Sequence, residues 1–372
     1  MSDEPIRVSW EEHATRGFAA GVSLHGHTRR SRETLTFVPE YASVVPVLRG
    51  VVARYVQEYR DRRGKPPDFS RAYWQPPLLP AQALRLEQEQ IEGRDLRPFV
   101  SLTDHDNIDA GVELSTDGYD VPVSVEWTVP VSNTFFHLGI HNLPTGSAAA
   151  AMRTFSEYRQ QPSLPMLKEI LRELVKDPGV LVVLNHPMWD QAGIGVGEHE
   201  VALGSLLHCG GAAIHAVEFN GLRSHAENAK VRQLARDTGR PLVSGGDRHG
   251  TEPNALLNLT NARSFAEFCG EIRSGSSHLL VLPHYREPLC LRIFHNIQAV
   301  LDDMSDGTTW ADRIWWERHP DEWEPLSRTW QHGMPTAVEW FVRSVRMTAH
   351  PFVRSATNRV SVMCAVGSTA GM

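Results

Sequence analysis

The chain has 372 residues, of which 41% are hydrophobic and 22% are charged, as in an ordinary globular protein. This length suits one large α/β domain with additions, or two domains. With 37 basic against 44 acidic residues the formal net charge is −7, which argues against extensive nucleic-acid binding. No run approaches the ~18 apolar residues of a membrane span, and the acidic N-terminus predicts no signal peptide.

The cysteines are few and scattered, with no short spacing between any two of them. They are Cys209, Cys269, Cys290 and Cys364. Four thiols in so long a chain do not make a disulfide framework. We therefore expect a reducing compartment and a cytoplasmic protein without a membrane partner.

Seven short apolar runs, rich in Val, Leu and Phe, recur along the chain. They cover roughly 17–25, 97–104, 122–129, 134–141, 180–185, 213–219 and 240–245. Their weak polar alternation is typical of strands buried on both faces of a parallel sheet. Helical patterns lie between several of them, one around 44–56, one after a Ser163 cap, and one from Ser224 to Gly239. This alternation predicts βα units.

Chemically active residues follow these strands, which favours a (β/α) barrel with its site at the C-terminal ends of the strands. The alternative is an open doubly wound sheet. No glycine-rich phosphate fingerprint follows the first strand, so we predict the barrel.

Two segments exceed a minimal barrel. Residues 28–95 form a long, partly helical and Pro-rich insertion after the first strand, which is typical of a cap or lid. After about residue 285 the strand rhythm fades, and this tail carries six of the ten tryptophans. We predict a barrel domain over 1–285 and a helical C-terminal extension over 286–372. Its tryptophans fit packing residues, with a binding platform for bases or another partner as the alternative.

Four of the strands run into histidine motifs. These are His25-Gly26-His27, Asp104-His105-Asp106, Asn185-His186-Pro187 and Asp247-Arg248-His249. Two more strands end at Glu126 and Glu218, and His137 lies in the run between 134 and 141. Residues two apart on a strand point to the same side, so His-x-His offers two imidazoles to one ion. Imidazole and carboxylate are ligands of zinc, manganese and iron.

Each motif alone is weak, as the His-Pro pairs show. The same dipeptide occurs at His319-Pro320 and His350-Pro351, outside any strand pattern. The strongest single motif is Asp247-Arg248-His249, where two glycines after the strand suggest a tight turn. The order of the motifs carries the prediction of a metal site.

In this order the motifs resemble those of the polymerase and histidinol phosphatase (PHP) superfamily of metal-dependent phosphoesterases. The family has His-x-His, Thr-Asp-His, a Glu, a His, a His-Pro pair and a final Asp-x-His. Here these are His25/His27, Thr103-Asp104-His105, Glu126, His137, His186-Pro187 and Asp247/His249. The resemblance covers about residues 20–250, and the spacing after Glu126 is similar to the branch of nucleotide bisphosphatases and small-RNA exonucleases. It implies a distorted seven-stranded (β/α) barrel that holds two or three ions, commonly manganese, zinc or iron.

The resemblance also implies the role of each residue. One ion would be held by His25, His27, Glu126 and Asp247, and Glu126 would bridge to a second held by His137 and His186. His105 and His249 would serve a third ion or act as acid groups. The chain departs from the family at Ser31-Arg32-Glu33, where Ser-Asp-Gly is usual, so a third ion would need Glu33 as a substitute. Ser23 also replaces a frequent Asp before Leu-His-x-His.

The expected reaction is in-line attack of a metal-activated hydroxide on the phosphate ester of a small metabolite or nucleotide. His105 or His249 would protonate the leaving group, with Asp247 also in the catalytic set. Arg32, Arg223 and Arg248 are the candidate phosphate ligands because arginine binds phosphate through two hydrogen bonds. Glu218 matches no family ligand, and is interpreted either as a support for one or as purely structural.

Three alternatives remain open from the sequence. The chain could be a 3′–5′ exonuclease on short oligonucleotides, or a non-catalytic metal-binding interaction module. A metal-dependent amidohydrolase is the third, although no lysine that could serve as a carboxylated ligand occurs in the strand motifs.

Overall fold

The computed structural model describes residues 6–10, 12–44, 46–319 and 322–348. Cys364 and the His350-Pro351 pair lie outside these residues, and Cys209, Cys269 and Cys290 are free thiols. The described chain divides into two compact units. The first contains the residues up to Ser31 together with Leu78–Leu289, and the second contains Arg32–Pro77 and the residues from Cys290 onward. The boundary at residue 285 stays a prediction.

The strands are short and run throughout the chain. They are β1 (Ile6–Ser9), β2 (Ala20–Ser23), β3 (Glu33–Thr34), β4 (Ala72–Trp74), β5 (Arg97–Val100), β6 (Val123–Val131), β7 (Thr134–Leu143), β8 (Leu181–Asn185), β9 (Ala216–Asn220), β10 (Leu242–Gly245), β11 (Leu256–Thr260), β12 (Ser277–Val281), β13 (Ile314–His319) and β14 (Glu322–Pro325). All seven apolar runs contain a strand, and the other seven strands lie outside these runs (β1, β3, β4, β11, β12, β13 and β14).

The helices lie between and after these strands. They are α1 (Phe37–Val44), α2 (Pro46–Arg63), α3 (Pro80–Glu92), α4 (Asp109–Thr116), α5 (Thr145–Gln160), α6 (Leu164–Leu174), α7 (Val196–Gly210), α8 (His225–Thr238), α9 (Phe265–Arg273), α10 (Leu289–Leu301), α11 (Leu326–Thr329) and α12 (Thr336–Thr348). Ser163 and Ser224 cap α6 and α8, and Gly239 ends α8 in a left-handed conformation. None of the described helices is long and apolar enough to cross a membrane.

The prediction of one closed (β/α) barrel is wrong, because the described strands form three separate sheets. Two five-stranded sheets, in the orders β1-β12-β11-β2-β5 and β10-β9-β8-β7-β6, belong to the first unit. Both sheets mix parallel and antiparallel pairs. Strands β6 and β7 are joined by only two residues, Ser132 and Asn133, with Val131 opposite Thr134. A connection this short cannot cross over, so the pair must be antiparallel.

The insertion and the C-terminal extension contain short strands as well as helices. Within the second unit, β3 and β4 from the insertion join β13 and β14 from the extension in a four-stranded antiparallel sheet. Trp316 and Trp330 are buried in the core of this unit beside Tyr55, whereas Trp340 is 65% exposed. The packing interpretation therefore holds for Trp316 and Trp330.

The core of the first unit brings its two sheets together. One buried cluster contains Val22 of β2 together with Val183 of β8 and Val243 of β10. A larger cluster combines residues of the second sheet with residues of β11 and β12 from the first, and within it the Trp127 and Phe155 rings stack at 4.3 Å. This packing holds the ends of strands from both sheets close to one another.

Candidate metal centre

The predicted ligands converge where the strands of the two large sheets end. Single parallel bridges join Gly26 to Arg248 and His105 to Glu126. The backbone N–H of His27 donates to the Arg248 carbonyl at 2.8 Å, which fixes the His-x-His segment beside the Asp-x-His segment. Every predicted ligand belongs to at least one group whose ligand atoms lie within 4.8 Å of one another. These residues are His25, His27, His105, Glu126, His137, His186, Asp247 and His249.

Glu126 lies at the middle of this group, fully buried in β6. Its Oε2 faces three imidazole nitrogens, on His25 at 3.1 Å and on His27 and His105 at 3.3 Å. Its Oε1 faces two others, on His137 at 3.3 Å and His186 at 3.2 Å. One carboxylate thus presents a different oxygen to each of two sets of histidines, as a bridge between two cations does.

Asp247 provides a second carboxylate beside the same imidazoles. Its Oδ1 lies 3.6 Å from His25 Nε2, 3.5 Å from His27 Nε2 and 3.4 Å from His249 Nδ1. His25 belongs to two groups of residues whose ligand atoms are close enough to share a metal ion. One group contains His27 and Glu126, and the other contains His186 and Asp247.

The spacing of these atoms fits ligands around cations. A zinc ion, for example, binds nitrogen and oxygen atoms at about 2.0–2.2 Å. Neighbouring ligand atoms on one ion therefore lie roughly 3.0–3.4 Å apart. The 3.1 Å between His25 Nε2 and Glu126 Oε2 matches this spacing. Both atoms are buried and neither forms a hydrogen bond, although buried polar atoms normally do. The residues present fit divalent ions better than a self-contained hydrogen-bond network.

Three of the ligands adopt backbone conformations that are rare for residues other than glycine. His25, His186 and Asp247 have φ values of 59°, 28° and 52°. Such conformations cost about 1–3 kcal/mol each and concentrate at functional sites. They turn the three side chains inward immediately after β2, β8 and β10. The glycines before Asp247 have another use, because a Cβ at Gly245 would lie 1.5 Å from Glu218 Oε1 and one at Gly246 1.6 Å from Asn254 Oδ1.

The electrostatics of the centre favour two ionised carboxylates, and they shift the pKa values of two of the imidazoles in opposite directions. Burial opposes ionisation of Glu126 and Asp247, but the surrounding histidines hold the pKa of both carboxyls well below the usual value. Burial lowers the pKa of His137 to about 4. Burial also acts to lower the pKa of His25, but the facing carboxylates outweigh it and raise that pKa well above normal. A divalent cation would take the place of that proton.

The other acids of the Thr-Asp-His-Asp segment serve the backbone. Asp104 accepts hydrogen bonds from Thr28 N at 2.6 Å and Thr28 Oγ1 at 2.7 Å, which fixes the loop after His-x-His. Asp106 accepts from Thr128 N at 2.9 Å and pairs with Arg159 at 2.7 Å. Of this segment, His105 contributes its side chain to the ligand groups.

The three predicted phosphate ligands lie in different environments. Arg223 Nη2 is 4.0 Å from Asp247 Oδ2, and its guanidinium lies over the Trp189 ring, 3.5 Å from the centroid. Arg248 is buried and pairs with Glu87 at 2.9 Å, which favours a structural role. Arg32 belongs to the second unit, where its guanidinium lies over the Tyr73 ring.

The centre has one accessible side. The side chains of His105 and His249 are 17% and 13% exposed, and Arg223 is 18% exposed. Trp189 is 37% exposed, and its ring meets the His186 imidazole at 5.2 Å. Trp189 was missed from the sequence, where only its position three residues after His186 could have indicated it.

Comparisons with known proteins leave the family of this chain undefined. No protein-family model matches the chain, and no curated protein matches it. The similar solved structures include three of low identity. PsfC from Pseudomonas syringae is 9% identical, with a TM-score of 0.38 over 75% of this chain and 98% of that one. An amidohydrolase from Chromobacterium violaceum, with bound sulfate and no metal, is 14% identical, with a TM-score of 0.37 over 74% and 97%.

The third is a protein from Bifidobacterium adolescentis assigned as a metal-dependent phosphoesterase. It is 14% identical to this chain, with a TM-score of 0.31 over 54% of this chain and 92% of that one. Because all three TM-scores lie below 0.5, the roles of the residues are inferred below from their own geometry.

Proposed function

We propose that the chain is a metal-dependent hydrolase of the PHP type, which cleaves a phosphate ester of a small metabolite or nucleotide. The observation that carries the proposal is the position of Glu126. Its two carboxylate oxygens face different sets of imidazoles at 3.1–3.3 Å in a buried site.

Two or three divalent ions, of manganese, zinc or iron, suit this donor set. His25, His27, Glu126 and Asp247 would hold one, and Glu126, His137 and His186 a second. His105 and His249 lie with His27 in a further group, and would serve a third ion or act as acid groups in proton transfer.

The ions, when bound, would supply a nucleophilic hydroxide at neutral pH and neutralise charge on the substrate phosphate. The protein's own part is to position substrate and move protons. His249 Nδ1 donates to the Asp247 carbonyl at 2.8 Å, so a proton given to a leaving group would come from its Nε2. His105 is the other partly exposed imidazole and the second candidate for the acid.

Arg223 supports a phosphate ester over an amide as the substrate. Its guanidinium lies at the edge of the ligand cluster, 4.0 Å from Asp247, and the Trp189 ring restrains its plane. A restrained guanidinium can bind two phosphate oxygens at once. We assign Arg223 to phosphate binding, and Arg248 to holding the Asp-x-His segment through Glu87.

A 3′–5′ exonuclease acting on short oligonucleotides is the second candidate. The exposed Trp189 beside the centre favours it, since a base can stack on an aromatic ring at the site of cleavage. The acidic net charge argues against long duplex substrates.

The test is metal-dependent phosphate release. The metal-free chain is reconstituted with manganese or zinc and assayed on phosphorylated metabolites, nucleotides and short oligonucleotides. We expect Asp247→Ala and His186→Ala to abolish turnover, with Asp177→Ala and the exposed His208→Ala as matched controls. Unchanged turnover in either site variant would contradict the proposal. A chain that binds less than one ion and stays inactive would favour a non-catalytic module.

A further inference from the structure

Glu218, at the end of β9, is a buried carboxylate that faces the backs of the metal ligands. It is 1% exposed. Its Oε1 is hydrogen-bonded to His25 Nδ1, and its Oε2 accepts from the backbone N–H of His186 at 2.8 Å. One carboxylate therefore contacts two residues of the group formed by His25, His186 and Asp247.

The contact with His25 sets which ring nitrogen is free. A carboxylate only accepts hydrogen bonds, so Nδ1 carries a proton and Nε2 is left to a cation. That Nε2 lies 3.1 Å from Glu126 Oε2 and 3.6 Å from Asp247 Oδ1, on the side where the other ligand atoms are. A carboxylate behind a histidine ligand fixes the ring orientation and makes the ligand more basic.

Asn220 extends the support to the third ligand. Its Nδ2 donates to Glu218 Oε2 at 2.9 Å and lies 3.4 Å from Asp247 Oδ2. Its Oδ1 accepts from Leu222 N at 2.8 Å, which keeps the amino group turned toward the carboxylates. Asn228 on α8 holds the backbone N–H and carbonyl of Asn220 at 3.0 and 2.9 Å.

Gly245 makes room for this arrangement. A Cβ at that position would lie 1.5 Å from Glu218 Oε1 and 2.3 Å from its carboxyl carbon. Any side chain there would displace Glu218 from His25, so β10 must carry a glycine two residues before Asp247.

We infer that Glu218 and Asn220 are positioning residues. They fix His25 and Asp247 in the geometry needed to bind one of the two bridged ions, and Glu218 also holds the backbone of His186, a ligand of the other ion. The inference rests on the metal centre of the proposed function but not on the reaction. The two residues touch no substrate, and they act only through the ligands.

The test measures ion binding directly. The metal-free Glu218→Gln protein is titrated with Mn²⁺ against a chelator, with bound ions counted by elemental analysis. Gln keeps the shape but must turn its amino group toward a donor, either His25 Nδ1–H or the His186 N–H. We expect one ion per chain to bind about 10–100-fold more weakly. Glu271→Gln, which removes a carboxylate bonded to Thr260, is the control and should bind as the parent does.

A second readout separates positioning from loss of structure. In ¹⁵N NMR of the Zn²⁺-loaded proteins, the His25 signal should show a protonated Nδ1 and an Nε2 without a proton in the parent, and lose this pattern in Glu218→Gln. If that variant does not fold, Asn220→Ala decides, with about tenfold weaker binding expected at the same ion. Parent-like affinity in a folded variant overturns the inference. A parent that binds neither Mn²⁺ nor Zn²⁺ overturns the proposed function instead.

Discussion

The two sides of the metal centre are built differently. On one side His25, His186 and Asp247 are at most 4% exposed, and all three have left-handed backbone conformations. The buried Glu218 carboxylate contacts His25 Nδ1 and the backbone N–H of His186. On the other side His105 and His249 have 17% and 13% of their side chains exposed, beside the half-exposed Trp189.

This difference separates holding an ion from handling a substrate. The buried side has its ligand atoms aimed by hydrogen bonds and backbone geometry before any ion arrives, so little reorganisation is needed on binding. The open side can exchange water, substrate and protons with solvent. We therefore expect substitutions on the buried side to change metal content, and those on the open side to change turnover with the metal retained.

The largest loss of activity is expected from a change at Glu126, which faces histidines of both sides. Glu126→Gln removes the charge that faces five imidazoles and weakens the bridge between the two sets. Each ion supplies several kcal/mol to the transition state, so activity should fall by about 10³-fold or more. The measurement is ion stoichiometry and phosphate release on the same preparation.

The control for this variant is Asp106→Asn, a neighbouring carboxylate that bonds Thr128 and Arg159 rather than the ligands. It should retain both ions. A Glu126→Gln protein with a full complement of ions and unchanged turnover would show that the two sides do not share a bridge.

A smaller effect is expected on the open side. His249→Asn should retain the ions bound by the buried side but lose proton donation to the leaving group, which lowers kcat by about 10²–10⁴-fold. The matched variant is His105→Asn. The variant that loses the alkaline limb of the pH–rate profile identifies the acid group. If both keep that limb, neither imidazole is the proton donor.

Strand positions and ligand clustering could be predicted from the sequence, but the arrangement of the strands could not. An apolar run signals burial and extended structure, and all seven runs contain strands. An apolar run does not indicate whether its strand pairs in a parallel or an antiparallel direction. The two-residue link after Val131 was the local signal that β6 and β7 are antiparallel. The strands β11 and β12 were missed although they lie in the same sheet as β2.

Long-range pairing gives single residues contacts that their local sequence does not indicate. Arg248 reads as a phosphate ligand because it is a charged residue inside Asp-x-His. In the fold it is buried against Glu87, which is 161 positions away. Gly245 reads as a turn residue, but its role is to admit Glu218 from the neighbouring strand. Such partners become visible only when the strands are side by side.

The smallest effect is expected at His141, and it concerns how the free energy of unfolding depends on pH. His141 is fully buried next to Ser101, at 2.8 Å, and burial lowers its pKa to about 3. An unfolded histidine titrates near 6.5, so between about pH 6.5 and 3 the unfolded chain binds the extra proton and acidification destabilises the metal-free protein. In urea melts between pH 5 and 6, His141→Gln should reduce the slope of unfolding free energy by about 1.4 kcal/mol per pH unit. The exposed His208→Gln is the control, and an unchanged slope in His141→Gln would show that His141 is not held neutral.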